Sequence, residues 1–264
     1  MKNSHKGIPL RKGKEIDGLR LSGSVAAEVL AKAAALVRPG ISTLEIDQAA
    51  AQFMADLGSR SAFLWYRGFP GHICISLNAE VVHGIGRANR FISNGDVVKI
   101  DVGIIKDGWV GDNATTVPVG AVQPEVYQLL RVTEESLLNA ITYAKPGSML
   151  RDLCASVENL VTRFGYSVVR NFVGHGVGRK LHEKPEVPNY FHKDVKTRLQ
   201  PGMVLAIEPM VNLGVGDVNI LNSDNWTAVT ADGKASAHFE HMIMVTEGEP
   251  EILTARPRLT PPIG

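Results

Sequence analysis

Cysteine is nearly absent from this chain, which holds Cys74 and Cys154 and no others in 264 residues. Two distant thiols make no disulfide framework, and a domain of this size does not depend on one, so the expected compartment is a reducing cytoplasm. Charge imbalance is missing as well: 28 basic and 27 acidic residues leave a formal net charge of +1. Neither nucleic acid nor a membrane is therefore an expected partner. The first fifteen residues carry a basic bias in Lys2, Lys6, Arg11, Lys12 and Lys14, but no apolar run long enough for a secretory core or a membrane span follows them. Residues 1–14 read as a basic, solvated tail and 15–264 as one domain, expected to be a monomer. With 44% apolar and 21% charged residues, that domain can bury a large core.

What the chain does contain is a pattern that recurs. Leu19, Val25, Ala26, Val29, Ala33, Leu36 and Val37 fall at helical spacing and predict a helix over 16–37, ended by Pro39-Gly40. Ser42 and Glu45 form a capping box ahead of a second stripe through Ile46, Ala49, Ala50, Phe53, Met54 and Leu57, closed by Gly58. Two more stripes follow, one from Val126 to Ile141 ending at Pro146-Gly147 and one from Leu153 to Phe164 ending at Gly165. Beyond each pair lies a segment of the form G-x-V-x-x-I-acid: Gly95 to Asp101, and Gly202 to Glu208. An internal duplication with two halves packed around a shared site is the simplest account, set against chance likeness between helix–strand units.

Acids stand where buried strands should be apolar. Asp101 sits inside VVKIDVGII, Glu208 inside VLAIEPMV and Glu240 inside HFEHMIMV. A buried carboxylate must meet a cation, a dense set of donors or a proton. The segment from Asp101 through Lys106-Asp107-Gly108 to Asp112 reads as a hairpin that brings Asp112 beside Asp101. Each acid taken singly is more often an edge or turn residue, yet four converging carboxylates repel by roughly several kcal/mol unless counter-charge is present. Two divalent cations would supply it. His175 adds an imidazole in Val173-Gly-His-Gly-Val-Gly178, directly after an apolar strand predicted over 166–173. A phosphate-cradling loop is the alternative for those glycines, but Lys184-Pro185 and Val187-Pro188 leave no helix to follow it. Oxygen ligands with one imidazole suit Co, Mn, Fe(II) or Zn without choosing among them.

Taken in order, Asn78 to Gly84, Ile100-Asp101-Val102, Gly111-Asp112, Gly174 to Gly178, Leu181-His182-Glu183, Ile207 to Met210 and Phe239-Glu240-His241 closely resemble the sequence blocks of type I methionine aminopeptidases. The resemblance spans about residues 14 to 254. It implies the pita-bread fold, an α+β arrangement of two pseudo-symmetric halves around a central antiparallel sheet. It also implies two divalent ions held by Asp101, Asp112, His175, Glu208 and Glu240, with Asp112 and Glu240 shared between them. A hydroxide held there would attack the scissile carbonyl, with Glu208 as base, His182 donating to the carbonyl oxygen and His83 contacting the leaving nitrogen. The methionine pocket would use Phe63, Tyr66, Phe69, Cys74, His83, Leu181 and Trp226; Phe63, Phe69 and Leu181 depart from the residues common in the family. The implied substrates are N-terminal methionines of nascent proteins and peptides with a small second residue, a role in which the basic N terminus could touch the ribosome.

The remaining histidines, His5, His72, His192, His238 and His241, read as surface or packing residues, and Trp65 and Trp109 read as core. Two rival functions share the pattern. A prolidase would bring a substantial N-terminal domain, whereas about fifteen residues precede the first helix here. A binding module that has lost its metal would show altered ligand positions, and all five are intact.

Overall fold

The computed structural model describes residues 7–263, so Lys2, His5 and Lys6 lie outside the described residues. Four helices, α1 (Lys14–Ala35), α2 (Thr43–Asp56), α3 (Pro124–Thr142) and α4 (Leu150–Arg163), match the four predicted stripes. The Ser42 hydroxyl accepts from the Glu45 backbone N–H while the Glu45 carboxylate accepts from the Ser42 N–H, the reciprocal box read in the sequence. α1 packs on the hairpin strands Val97–Lys106 and Trp109–Pro118, and α3 packs on Ser236–His238 and Met210–Asn212.

The duplication extends to the backbone. Gly40 donates to Ile92 O as Gly147 does to Leu199 O, and Gly95 donates to Val119 O as Gly202 does to Val245 O. Gly40, Gly58, Gly95 and Asp101 correspond to Gly147, Gly165, Gly202 and Glu208 at one constant offset, and all six of these glycines have positive φ. Each half has its own core. Ile46, Met54, Ile75, Ile100 and Ile104 belong to one, and Leu129, Leu153, Leu205, Ile207 and Phe239 to the other.

Within the hairpin, Asp107 and Gly108 close a two-residue loop with φ of 50° and 77°, the twist that suits paired strands. Asp112 lies opposite Gly103 and Ala114 opposite Asp101, so both acids share one face. Close approach of α1 requires Gly111. A Cβ there would stand 2.2 Å from the Ser22 carbonyl oxygen, so neither partner can yield without moving backbone. Gly111→Ala is expected to destabilise the metal-free chain by about 1–3 kcal/mol, seen as a lower urea midpoint; an unchanged midpoint would mean that α1 is free to shift.

In the second half the expected strands are interrupted. Strand Val204–Ile207 ends at Glu208 and a new strand, Met210–Asn212, begins after Pro209; likewise Ser236–His238 and His241–Met244 flank Phe239-Glu240. The chain changes sheet at both places, because Val204–Ile207 pairs with His241–Met244 and Met210–Asn212 pairs with Ser236–His238 in a different sheet. Glu208 and Glu240 therefore occupy the break rather than a strand interior, and the Glu240 N–H crosses to Ala114 O of the hairpin. The strand predicted over 166–173 shrinks to Ser167–Val168, since Val169 makes the last bond to Met210 O and the chain then turns toward Gly174.

Two further readings need correction. Arg11, placed in a solvated tail, has its guanidinium paired with Glu183 and lying over the Trp109 ring. Trp65, read as core, is 72% exposed on a turn where it adopts φ of 63°.

Candidate metal centre

His175 occupies the middle of the strand Gly174–Gly176, and its neighbours must be glycine. A Cβ at 174 would stand 2.3 Å from Ala206 O and one at 176 would stand 2.2 Å from Lys184 O. That tight strand sets the imidazole against the acids. His175 Nε2 lies 3.7 Å from Asp112 Oδ2 and 3.6 Å from Glu208 Oε1. Ligand atoms of Asp112, His175 and Glu240 all fall within 4.8 Å of one another. His175 Nδ1 is 3.0 Å from the Gly176 carbonyl, which can only accept, so Nδ1 carries the proton and Nε2 keeps a lone pair for the site.

Electrostatics disfavour the charged form of this cluster when no counter-charge is present. Burial raises the Asp101 carboxyl to about 7 and Glu208 to about 8. Asp112 and Glu240 are raised well beyond the usual carboxylate range, by burial first and then by neighbouring acids. Burial lowers His175 to about 3, leaving the ring neutral. Asp101 Oδ1 and Asp112 Oδ1 are sealed from solvent with no hydrogen-bond partner among the described residues. Arg256 lies behind the acids, but its guanidinium donates to the main-chain carbonyls of Ala114 and Glu240 and not to a carboxylate. Clustered acids with orphaned oxygens and a neutral imidazole fit a divalent cation.

These groups form part of the lining of a cavity of about 300 Å³, whose walls include Phe63, Phe69, Cys74, Leu181 and Trp226, with Tyr66, His83 and His182 beside them. All thirteen residues proposed from the sequence thus border one space. Phe69 meets Trp226 edge to face at 5.3 Å between centroids. The Phe63 ring fills the place where a side chain at Gly103 would project, 2.3 Å from a Cβ built there. At the rim, Tyr66 Oη is 2.8 Å from His182 Nδ1, and the His182 ring lies 4.2 Å from that of His175.

The profile of metallopeptidase family M24 matches residues 17–247. The chain belongs to metallopeptidase family M24. This M24 chain is 46% identical over 241 residues to methionine aminopeptidase 1 of Bacillus subtilis (strain 168), covering 91% of itself and 96% of that protein. It superposes on a crystal structure of methionine aminopeptidase from Thermotoga maritima with TM-score 0.92 at 39% identity, covering 94% and 100% of the two chains. An Xaa-Pro dipeptidase from Bacillus anthracis shares the fold at TM-score 0.73 and 22% identity, with 62% of that chain covered. The pita-bread fold and the methionine aminopeptidase resemblance read from the sequence both hold, and the M24 chain is an aminopeptidase, a metal-using hydrolase.

Sequence reasoning missed several residues around this M24 site. Phe172 lines the cavity and meets the His83 ring edge-on at 5.1 Å; its place two residues before Gly174 was the available signal. Arg67 and Met210 also line the cavity. His238, read as a surface or packing residue, is buried with Nε2 3.5 Å from Glu208 Oε2. The packing reading holds for His241, bonded through Nδ1 to Thr254, and the surface reading holds for His192. Arg256 had no local signal at all. Both cysteines are buried and free. No helix among the described residues is long and apolar enough to cross a membrane.

Proposed function

We propose that this M24 aminopeptidase acts in the cytoplasm as a monomer and removes N-terminal methionine from nascent proteins and peptides whose second residue is small. Asp101, Asp112, His175, Glu208 and Glu240 would hold two divalent ions, with Asp112 and Glu240 shared between them; the donors suit Co, Mn, Fe(II) or Zn. When bound, such ions supply Lewis acidity, counter-charge for the acids and a water acidified toward neutral pH. Glu208 is assigned to receive the proton of the attacking water.

His182 serves the carbonyl oxygen. If Tyr66 donates its hydroxyl proton to Nδ1 across their 2.8 Å contact, Nε2 must carry the ring proton and can donate it to a developing oxyanion. Burial keeps His182 and His83 below their ordinary pKa, so each acts as a neutral donor or acceptor near pH 7. His83, held edge-on by Phe172 and Trp226, is assigned to the leaving nitrogen. Phe63, Phe69, Cys74 and Leu181, all buried, with partly buried Tyr66 and Trp226, provide the soft, polarizable wall that a thioether favours.

The carrying observation is that the acids and His175 border the same cavity as this wall. Methionine release from Met-Ala-Ser and Met-Leu-Ser should be measured with and without added metal. Cleavage of the first alone, abolished by a chelator, is expected. Equal rates on both would remove the second-residue claim, and release unaffected by chelation would remove the metal reading.

A further inference from the structure

His238 stands outside the five residues assigned above, yet it faces one of them. Its Nε2 is 3.5 Å from Glu208 Oε2, while the other oxygen of the same carboxylate, Oε1, is 3.6 Å from His175 Nε2. Glu208 is thus bracketed between two imidazoles. The His238 side chain is 1% exposed, and neither ring nitrogen has a hydrogen-bond partner among the described residues. Burying an imidazole with both nitrogens unpartnered is unfavourable, a cost that a merely space-filling residue would avoid.

The ring is also held in place. Thr116 Oγ1 donates to the His238 carbonyl at 2.7 Å, and the His238 N–H lies 2.9 Å from the same hydroxyl, so the hairpin strand that bears Asp112 clamps the backbone on both sides. Pairing with Met210 fixes it from the other strand. The charged or titratable groups acting on the ring are Glu208, Asp101, Lys99, Arg256 and His83. Of these, Glu208 is the one within hydrogen-bonding reach after a small adjustment.

We propose that His238 is a positioning residue for Glu208: its Nε2–H donates to Oε2 and so keeps Oε1 turned toward His175 and Asp112. Metal ligands are oriented by such outer partners, whose loss typically weakens metal affinity about 10- to 100-fold. The proposal rests on reading Glu208 as a metal ligand. Two variants of the full chain separate this role from packing. In His238→Gln the amide nitrogen reaches the place of Nε2 and can still donate, whereas His238→Leu fills the space without a donor.

Titration calorimetry with Mn(II) is expected to find the glutamine variant within about threefold of wild type and the leucine variant weaker by about 10- to 100-fold. Thermal unfolding of the metal-free forms should give the leucine variant a midpoint no lower than wild type. The imidazole nitrogen spectrum of the metal-free wild type should show His238 protonated on Nε2. Wild-type affinity in the leucine variant, equal weakness in both variants, or a proton on Nδ1 would each overturn the proposal. A wild-type chain that takes up no Mn(II) would sink the ligand reading of Glu208 instead, and the nitrogen spectrum would still decide whether His238 donates to it.

Discussion

Replacing Asp112 with asparagine is expected to yield a folded chain that has lost most of its metal and nearly all of its peptidase activity. The side chain lies at the face where both hairpin strands and His175 converge, with Oδ2 3.7 Å from the imidazole and Oδ1 unpartnered among the described residues. An amide keeps the shape but offers no negative charge to a cation. Because changes to mere outer partners of a ligand already cost about 10- to 100-fold, loss of this carboxylate should cost at least that in Mn(II) affinity. The metal-free form should respond in the opposite sense. Burial and two neighbouring acids already disfavour the Asp112 anion, so a neutral side chain relieves repulsion and should raise the unfolding midpoint at pH 8. A variant binding Mn(II) like wild type would count decisively against the site.

Metal affinity should rise steeply between pH 6.5 and 8, with protons released on binding. The acids are the cause: Asp101 is raised to about 7, Glu208 to about 8, and Asp112 and Glu240 well above the usual carboxylate range, so near neutrality the metal-free site holds protons that a cation must displace. Each displaced proton steepens the dependence by about tenfold per pH unit. Stability of the metal-free chain should run the other way. A carboxyl whose folded pKa is raised contributes stability at low pH that is lost as pH climbs through that pKa. His83, lowered to about 4, and His175, lowered to about 3, act oppositely, but only up to their ordinary value of 6.5. Between pH 6.5 and 8 the acids prevail over Lys99, which burial lowers to about 7 and which alone among the large shifts gains stability in that window. Calorimetry in buffers of different ionisation enthalpy would count the protons. A flat affinity from pH 6.5 to 8 would mean that the acids are already ionised.

Local chemistry in the sequence specified much of this. The capping box at Ser42 and the Asp107-Gly108 turn act through nearest neighbours, so their geometry could be read before any tertiary contact was known. The facing acids of the hairpin followed from register alone. What escaped depends on contacts between distant segments. VLAIEPMV looks like one strand, and only Pro209, which has no N–H for a ladder, hinted that it divides between two sheets. Nothing near Arg256 tells that it will cap the carbonyls of Ala114 and Glu240, and nothing near His238 tells that Thr116 will clamp it beside Glu208. Arg11 likewise gave up its place in solvent because Glu183 and the Trp109 ring, both far along the chain, offer a better one.

The constant offset between the halves bears on ancestry. Asp101 and Glu208 are equivalent positions in two units with separate cores. A half-length forebear with one unit would have owned a single such acid, and it could have assembled a paired-carboxylate seam only by dimerising with its own copy. The symmetry breaks at His175: it pairs with Ala206, whose equivalent in the first half, Lys99, pairs with Ser76, so one half alone brings an imidazole to the seam.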